Sequence, residues 1–537
     1  MCARLDEMAF AEALWNRRLD VWRSDAATRE KIQHRLGWLS AMDAVTPHRP
    51  RLRTLTNACR AESLSSIVLL GMGGSSLAPE VLRQVLGVAP GYPQFRMLDS
   101  VDPEAVRDAM THAPTSLFIL ASKSGTTIEP NVMAAEARRR LVESGQRWGA
   151  RFVAITDEDT ALHRRAQAEG FRETFVNPAD IGGRYSALSL FGMVPAALMG
   201  ADIDRIFEPA RRMETACRVH DPSANPGLAL GAYMAAGAHA GRDKLTLLLP
   251  PRLASFGLWV EQLVAESTGK HGKGVVPIAG ESVSAPHGDD RACVAISLPD
   301  DPAPAIDARR ASGAPLLELQ MADAMAIGAE FLRWEVATAT AGVLLGINPF
   351  DEPNVQQAKD ATRALLDSYR SSGHLPTREA HANIEGARLT LSAAAQQQLR
   401  GAGAEQFLRL LAAGDYFGLL AYLPPDRDPF DGALQDIRTA VGMASGCATM
   451  FGYGPRYLHS TGQLHKGGAN NGVFVIVTAA AGDDLPIPDE PFSFDVLEMA
   501  QALGDFESLD KTNRRALHVH LPRRDVDLLR RVFSRLS

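Results

Sequence analysis

Short apolar runs alternate with amphipathic stretches through the first part of the chain. The runs at 66–70, 95–99, 116–121, 151–156 and 172–176 are bounded by turn residues and predict strands. Helical stretches such as 135–142 lie between them. Strand and helix in regular alternation predict a parallel sheet covered on both faces. Before it, residues 1–60 read as helical, with Trp15, Trp22, Leu36, Trp38 and Leu39 set among charges and Pro47 and Pro50 closing the segment. After Ser186 the pattern turns mainly helical. Strands resume at 245–249 and 294–298, and a long helix is predicted over 322–344, ending in the turn 346–350. Further on, 407–411, 416–423 and 473–477 read as core elements, and 424–426 and 483–491 as loops. The expected organisation is a helical segment at 1–60, an α/β domain at 61–215, a second at 216–375 and a C-terminal α/β extension at 376–537.

Bulk properties narrow the class. A chain of 537 residues predicts two to four domains, and 46% hydrophobic with 22% charged residues is ordinary globular composition. Cys2, Cys59, Cys217, Cys293 and Cys447 are scattered with no CxxC pair, which fits a reducing compartment and argues against a zinc site. The first residues lack the basic start and apolar run of a signal peptide, and no uninterrupted apolar run reaches about 18 residues. The expectation is a cytoplasmic protein with no membrane partner. A net charge of −7 disfavours nucleic acid, yet a small anion needs only a local positive site.

Two loops offer such a site. The first strand runs into Gly71-Met72-Gly73-Gly74-Ser75-Ser76, where backbone N–H groups and the next helix start can face an anion. Alone it also reads as a tight strand–helix turn. As a dinucleotide site it is incomplete, since Ser76 stands where the third glycine is expected. The third strand runs into Ser122-Lys123-Ser124-Gly125-Thr126-Thr127, which supplies hydroxyls, an ammonium and free backbone amides. Ligands of open α/β sheets bind at the carboxyl ends of strands. Two such loops at one edge therefore point to a monophosphate, and the GxxxxGK[ST] pattern of a nucleoside triphosphate site is absent from them.

Two further segments carry candidate chemistry. Glu261–Lys270 reads as a helix ending at Gly269, with Gln262 and Glu266 sharing a face. At the inner end of a mostly apolar helix, Glu266 would be desolvated and its pKa raised towards that of a useful base. By spacing alone it reads more readily as half of a surface pair with Lys270. Gly182-Gly183-Arg184-Tyr185-Ser186 would bring an arginine close, as a permanent cation. Moving a carbonyl between C1 and C2 of a sugar needs that combination: a base for the carbon-bound proton and a cation for the enediolate.

These motifs, in this order, together with 348–359, resemble the glucose-6-phosphate isomerase family; the resemblance covers roughly 60–375. It implies two sugar-isomerase domains, each a parallel sheet between helices, and a metal- and cofactor-free conversion of glucose 6-phosphate and fructose 6-phosphate, commonly by a homodimer. By resemblance, Gly74, Ser75, Ser122, Lys123, Ser124 and Thr127 bind the phosphate and Gln262 the sugar. Glu266 is the proton-transfer base, Arg184 stabilises the enediolate and Lys359 assists ring opening. The family usually has glutamine at the position of Glu352 and receives its ring-opening histidine from a neighbouring subunit. That histidine has no counterpart between Glu266 and Lys359, where His271 and His287 fall outside the expected motif. The segment 453–468 resembles the tail of isomerases fused to transaldolase. The transaldolase part itself is not among these residues, so no Schiff-base lysine is expected. His465, with His459 as its alternative and His271 as a local rival, is the expected replacement. A sugar-phosphate sensor without turnover and a dual glucose/mannose phosphate isomerase are the alternatives.

Overall fold

The computed structural model describes residues 1–22, 25–62 and 64–536. Three sheets organise them. The first holds β1 (Ser66–Leu70), β2 (Gln94–Leu98), β3 (Ser116–Ala121), β4 (Phe152–Asp157) and β5 (Glu173–Asn177), all parallel, in the order β2-β1-β3-β4-β5. Its central strands are apolar on both sides because both sides are covered. Ile67, Leu69, Leu117, Ile119 and Val153 enter one core, while Val68, Leu70, Phe118, Leu120 and Ala154 enter another.

The second sheet holds β6 (Lys244–Leu248), β7 (Val276–Ile278), β8 (Arg291–Ser297) and β9 (Leu316–Gln320), again parallel, in the order β7-β6-β8-β9. The helix expected at 322–344 spans Ile327–Leu345 instead. Its start is delayed by Asp323, whose side chain accepts from the Ala326 N–H and closes a separate turn of 3-10 helix. Short helices of the first 60 residues share one core with both sheets. In that core Trp22 meets Phe350 edge-on at 5.2 Å, and Trp38 lies 5.2 Å from Tyr185.

The third sheet is mixed. β10 (Ala382–Ile384) and β11 (Ala387–Leu391) form an antiparallel edge, followed by four parallel strands: β12 (Tyr416–Tyr422), β13 (Ala448–Tyr453), β14 (Gly472–Ala479) and β15 (Arg515–Leu521). The apolar run at 407–411 falls on the 3-10 helix Ala404–Leu410 and its cap, with Phe407 buried in the core of this sheet. One face of this sheet has a core of its own. The other packs Tyr416, Leu420, Phe474 and Ile476 against Ala265, Val276 and Ile278 of the second sheet's layer. The third region also reaches the first sheet. The helix Phe494–Lys511 carries Leu497 and Ala500 into the core of that sheet's outer face, beside Leu365 and Leu366 of the helix Val355–Ser372. Among the described residues no helix is long and apolar enough to cross a membrane.

Candidate active site

A cleft of about 560 Å³ opens at the carboxyl ends of β1 and β3. Strand order reverses there, with β2 lying on one side of β1 and β3 on the other. Of the residues expected to bind or act on substrate, Gly74, Ser75, Ser122, Lys123, Ser124, Thr127, Arg184, Gln262, Glu266 and Lys359 all line it; His465 does not.

Close packing fixes the first loop. Gly73 has φ +54°, and a Cβ there would lie 2.5 Å from the His459 carbonyl oxygen. A Cβ on Gly74 would lie 2.1 Å from the Gly183 carbonyl oxygen. The glycines therefore let two distant segments, 182–183 and 459, close onto the loop. The second loop is held by its own hydroxyls. The Gly125 N–H donates to Ser122 Oγ at 3.1 Å, and Ser124 and Thr126 hydroxyls lie 3.0 Å apart. Lys123 Nζ donates to the Ala179 carbonyl at 2.7 Å and pairs with Asp157 at the end of β4. Burial raises the Asp157 pKa, and the bond from Lys123 opposes it.

Arg184 sits at the opposite end, its side chain 3% exposed. Nε donates to Ser267 Oγ at 2.7 Å, and Nη2 to the carbonyls of Pro349 and Asp351 at 2.8 and 3.0 Å. Nη1 is 3.0 Å from Glu266 Oε1 and donates to Glu352 Oε2 at 3.0 Å. Glu266 lies in the last turn of the helix Ala254–Thr268, whose Phe256, Trp259, Leu263 and Val264 are packed in the main core while Ala265 faces the third sheet. Burial pushes the Glu266 carboxyl above its ordinary range, with Arg184 opposing and Glu352 adding to the rise. Gln262, one turn earlier, donates to the His459 carbonyl at 2.7 Å, and its Oε1 is buried without a partner.

Lys270 is not the surface partner of Glu266 that the spacing allowed. It is fully buried, donating to Asn348 O at 2.6 Å and paired with Asp351 at 2.7 Å. Burial, then the nearby Arg184 charge, pushes its pKa down to about 8.

The two C-terminal histidines part company. His465 is buried with its ring 4.9 Å from Phe474 and 5.9 Å from Tyr457, and neither ring nitrogen has a partner. Burial, reinforced by Lys466 and Arg514, drives its pKa far down, so it stays neutral in the core. The expectation that put His465 at the reacting sugar is corrected by this position. His459, the alternative, lines the cleft, and its Nε2 is 2.8 Å from Glu129 Oε1. Gln501 donates to the same carboxylate oxygen at 2.6 Å. Burial works to raise the Glu129 pKa, but His459 and Lys359 outweigh it and hold the carboxyl below its usual range. His271 is exposed in a turn, and His287 is buried beside Glu281 and Cys293; neither lines the cleft.

The segment carrying His459 is anchored onto the end of the helix Ala254–Thr268. Gln463 donates to Gly269 O at 2.9 Å and accepts from Asn354 N at 2.8 Å. A Cβ on Gly269 would be 2.4 Å from Leu464 Cα. Sequence reasoning missed Arg35, Asp157 and Glu129 as parts of the site, and met Glu352 only as a departure from the family's glutamine. Asp157 carried one usable signal, its place at the end of a predicted strand; Arg35 reaches the cleft from the N-terminal segment and carried none.

The comparisons agree with this architecture. A phosphoglucose isomerase family model matches residues 41–288. The chain is 31% identical over 377 residues to a probable glucose-6-phosphate isomerase of Haloarcula marismortui, covering 62% of this chain and 83% of that one. It is 29% identical over 351 residues to a glucose-6-phosphate isomerase of Parasynechococcus marenigrum, covering 57% of this chain and 64% of that one, so it spans just under two thirds of that relative. By structure, a glucose-6-phosphate isomerase from Chlamydia trachomatis superposes with TM-score 0.54 at 19% identity, covering 62% of this chain and 75% of that one. A hypothetical protein from Thermus thermophilus gives TM-score 0.56 at 23% identity, covering 68% and 95%. The two structural matches bear on the fold alone; with the extent of the match to the Haloarcula protein, the chain belongs to the glucose-6-phosphate isomerase family.

Proposed function

We propose that this protein interconverts glucose 6-phosphate and fructose 6-phosphate through an enediol. One observation carries the reading most directly: a desolvated carboxylate, Glu266, lies 3.0 Å from a buried arginine in the same cleft as a hydroxyl-rich loop. The phosphate sits in the loops around Ser75 and Ser122–Thr127, where hydroxyls and backbone amides satisfy its oxygens and Lys123 shares its charge between Asp157 and the ligand. Glu266 takes the C2 proton of the open-chain aldose and returns it to C1, and its raised pKa suits both directions of transfer. Arg184, held by fixed acceptors, stabilises the charge that grows on the enediolate oxygens without having to reorganise. Gln262 Oε1, buried without a partner, accepts from a sugar hydroxyl.

Ring opening falls to His459, with Lys359 beside it. Glu129 accepts from one ring nitrogen and so fixes which nitrogen faces the sugar. In this reading the C-terminal region completes the site within one chain. The homodimer carried over from the family is then an assembly, not a source of catalytic groups. The reading also holds the tail to be of the kind found on transaldolase fusions and the protein to be cytoplasmic. A coupled assay of fructose 6-phosphate conversion, with and without a chelator, tests it. Conversion is expected, undiminished by chelation. Loss on chelation with rescue by a divalent ion would sink the metal-free mechanism. Binding without turnover would make the protein a sensor.

A further inference from the structure

A single nitrogen, Arg184 Nη1, serves two carboxylates: Glu266 Oε1 at 3.0 Å and Glu352 Oε2 at 3.0 Å. Those oxygens therefore lie within about 6 Å of each other, a separation at which one charge affects the other's protonation. The guanidinium cannot turn to favour either, because Ser267 and the Pro349 and Asp351 carbonyls hold its other nitrogens. Neighbouring cations relieve the contest only in part. Lys270, behind the pair, is committed to Asp351 and to Asn348 O. Arg35 acts on Glu352 from its outer side, and His459 acts on Glu266 across the cleft but is engaged by Glu129. Tyr185 lies against Ser267, its hydroxyl kept protonated by burial despite Arg184.

We propose that Glu352 is a positioning residue for the Glu266 base, dividing the Arg184 guanidinium with it so that neither carboxylate is fully neutralised by that cation. The inference rests on the reading of Glu266 as base. The two carboxylates divide unequally. Glu352, 37% exposed against 12% for Glu266, is the one held ionised: burial works against its charge, but Arg184 outweighs it. Glu266, deeper and beside that fixed negative charge, is the one that takes up and gives back a proton. Removing the charge of Glu352 leaves the whole of Arg184 to Glu266, which makes Glu266 a weaker base.

The test is the pH profile of kcat/KM for the wild type, Glu352→Gln and Glu352→Asp, because its acidic limb reports the free enzyme's base. In Glu352→Gln that limb should move down by about one pH unit, the scale of a like charge at this range. Turnover on the plateau should fall about three-fold, as expected of a base weakened by that much. Glu352→Asp keeps the charge and should keep the limb near its wild-type position. A Glu352→Gln limb that does not move, whatever happens to kcat, overturns the proposal. So does an equal shift in both variants, which would mark a purely packing role. Glu266→Gln, measured alongside, separates the two readings. Normal turnover in that variant removes Glu266 as the base, whereas its inactivity with an unmoved Glu352→Gln limb defeats only the positioning role of Glu352.

Discussion

The two ends of the cleft are built by opposite means. The hydroxyl-rich end is local: Ser122–Thr127 is one loop after one strand, and its hydroxyls and amides bond mostly to one another. The acid–base end is assembled from four separated segments that bring Arg184, Glu266, Glu352 and His459 to one place. The difference suits the chemistry proposed for each end. A phosphate is satisfied by donors that any turn at a sheet edge can present, and such donors work while partly wet. A carboxylate becomes a strong base only when water is excluded, and a single loop cannot exclude it. Ala265 against the third sheet, Leu464 against Gly269 and the Trp38–Tyr185–Phe350 aromatic contacts supply that exclusion.

The contrast is sharpest under substitution, and the largest effect belongs to the assembled end. Glu266→Gln should lower kcat by about three orders of magnitude while KM changes little, since the carboxylate acts chiefly in the transition state. Steady-state kinetics decide this, and near-normal kcat would dissolve the distinction between the two ends.

A smaller effect separates the two C-terminal histidines. His459→Ala should slow conversion of the cyclic sugar about 10- to 100-fold, with enediol proton exchange on the open-chain form much less affected. His465→Ala should leave the rate per folded molecule intact and cost about 2–4 kcal/mol in urea denaturation, because it empties a space among Tyr416, Tyr457 and Phe474. The opposite pairing of activity and stability losses would return His465 to the chemistry.

The smallest effect is expected at the local end. Ser124→Ala removes one of several donors and should raise KM about three- to ten-fold with kcat nearly unchanged, the net scale of one ordinary hydrogen bond. A fall in kcat instead would mean that the loop, like the acid–base end, is tuned to the transition state.

The strands of the first sheet, and β6 and β8 of the second, were legible because their apolar runs are short and bounded by turn residues; β1 and β3 fall where the pattern places them. The two loops were legible for the same reason, since a loop that follows a strand inherits the strand's position. The helix that starts at Ile327 was misplaced because a single Asp323 cap, invisible in the apolar periodicity, sets its start.

Sequence by itself determined the strand–helix order, the glycine and hydroxyl loops at strand ends, and the candidate base and cation. Each of these rests on residues close together along the chain, where spacing and residue type carry the information. Only the tertiary structure decided which histidine faces the cleft, that Lys270 is buried and paired with Asp351, and that Glu352 shares Arg184 with Glu266. His459 and His465 stand in one short segment of similar composition, yet one backs onto Gly73 and Glu129 and the other onto Phe474. Burial and long-range contact settle such choices, and both depend on how segments far apart in the chain pack together.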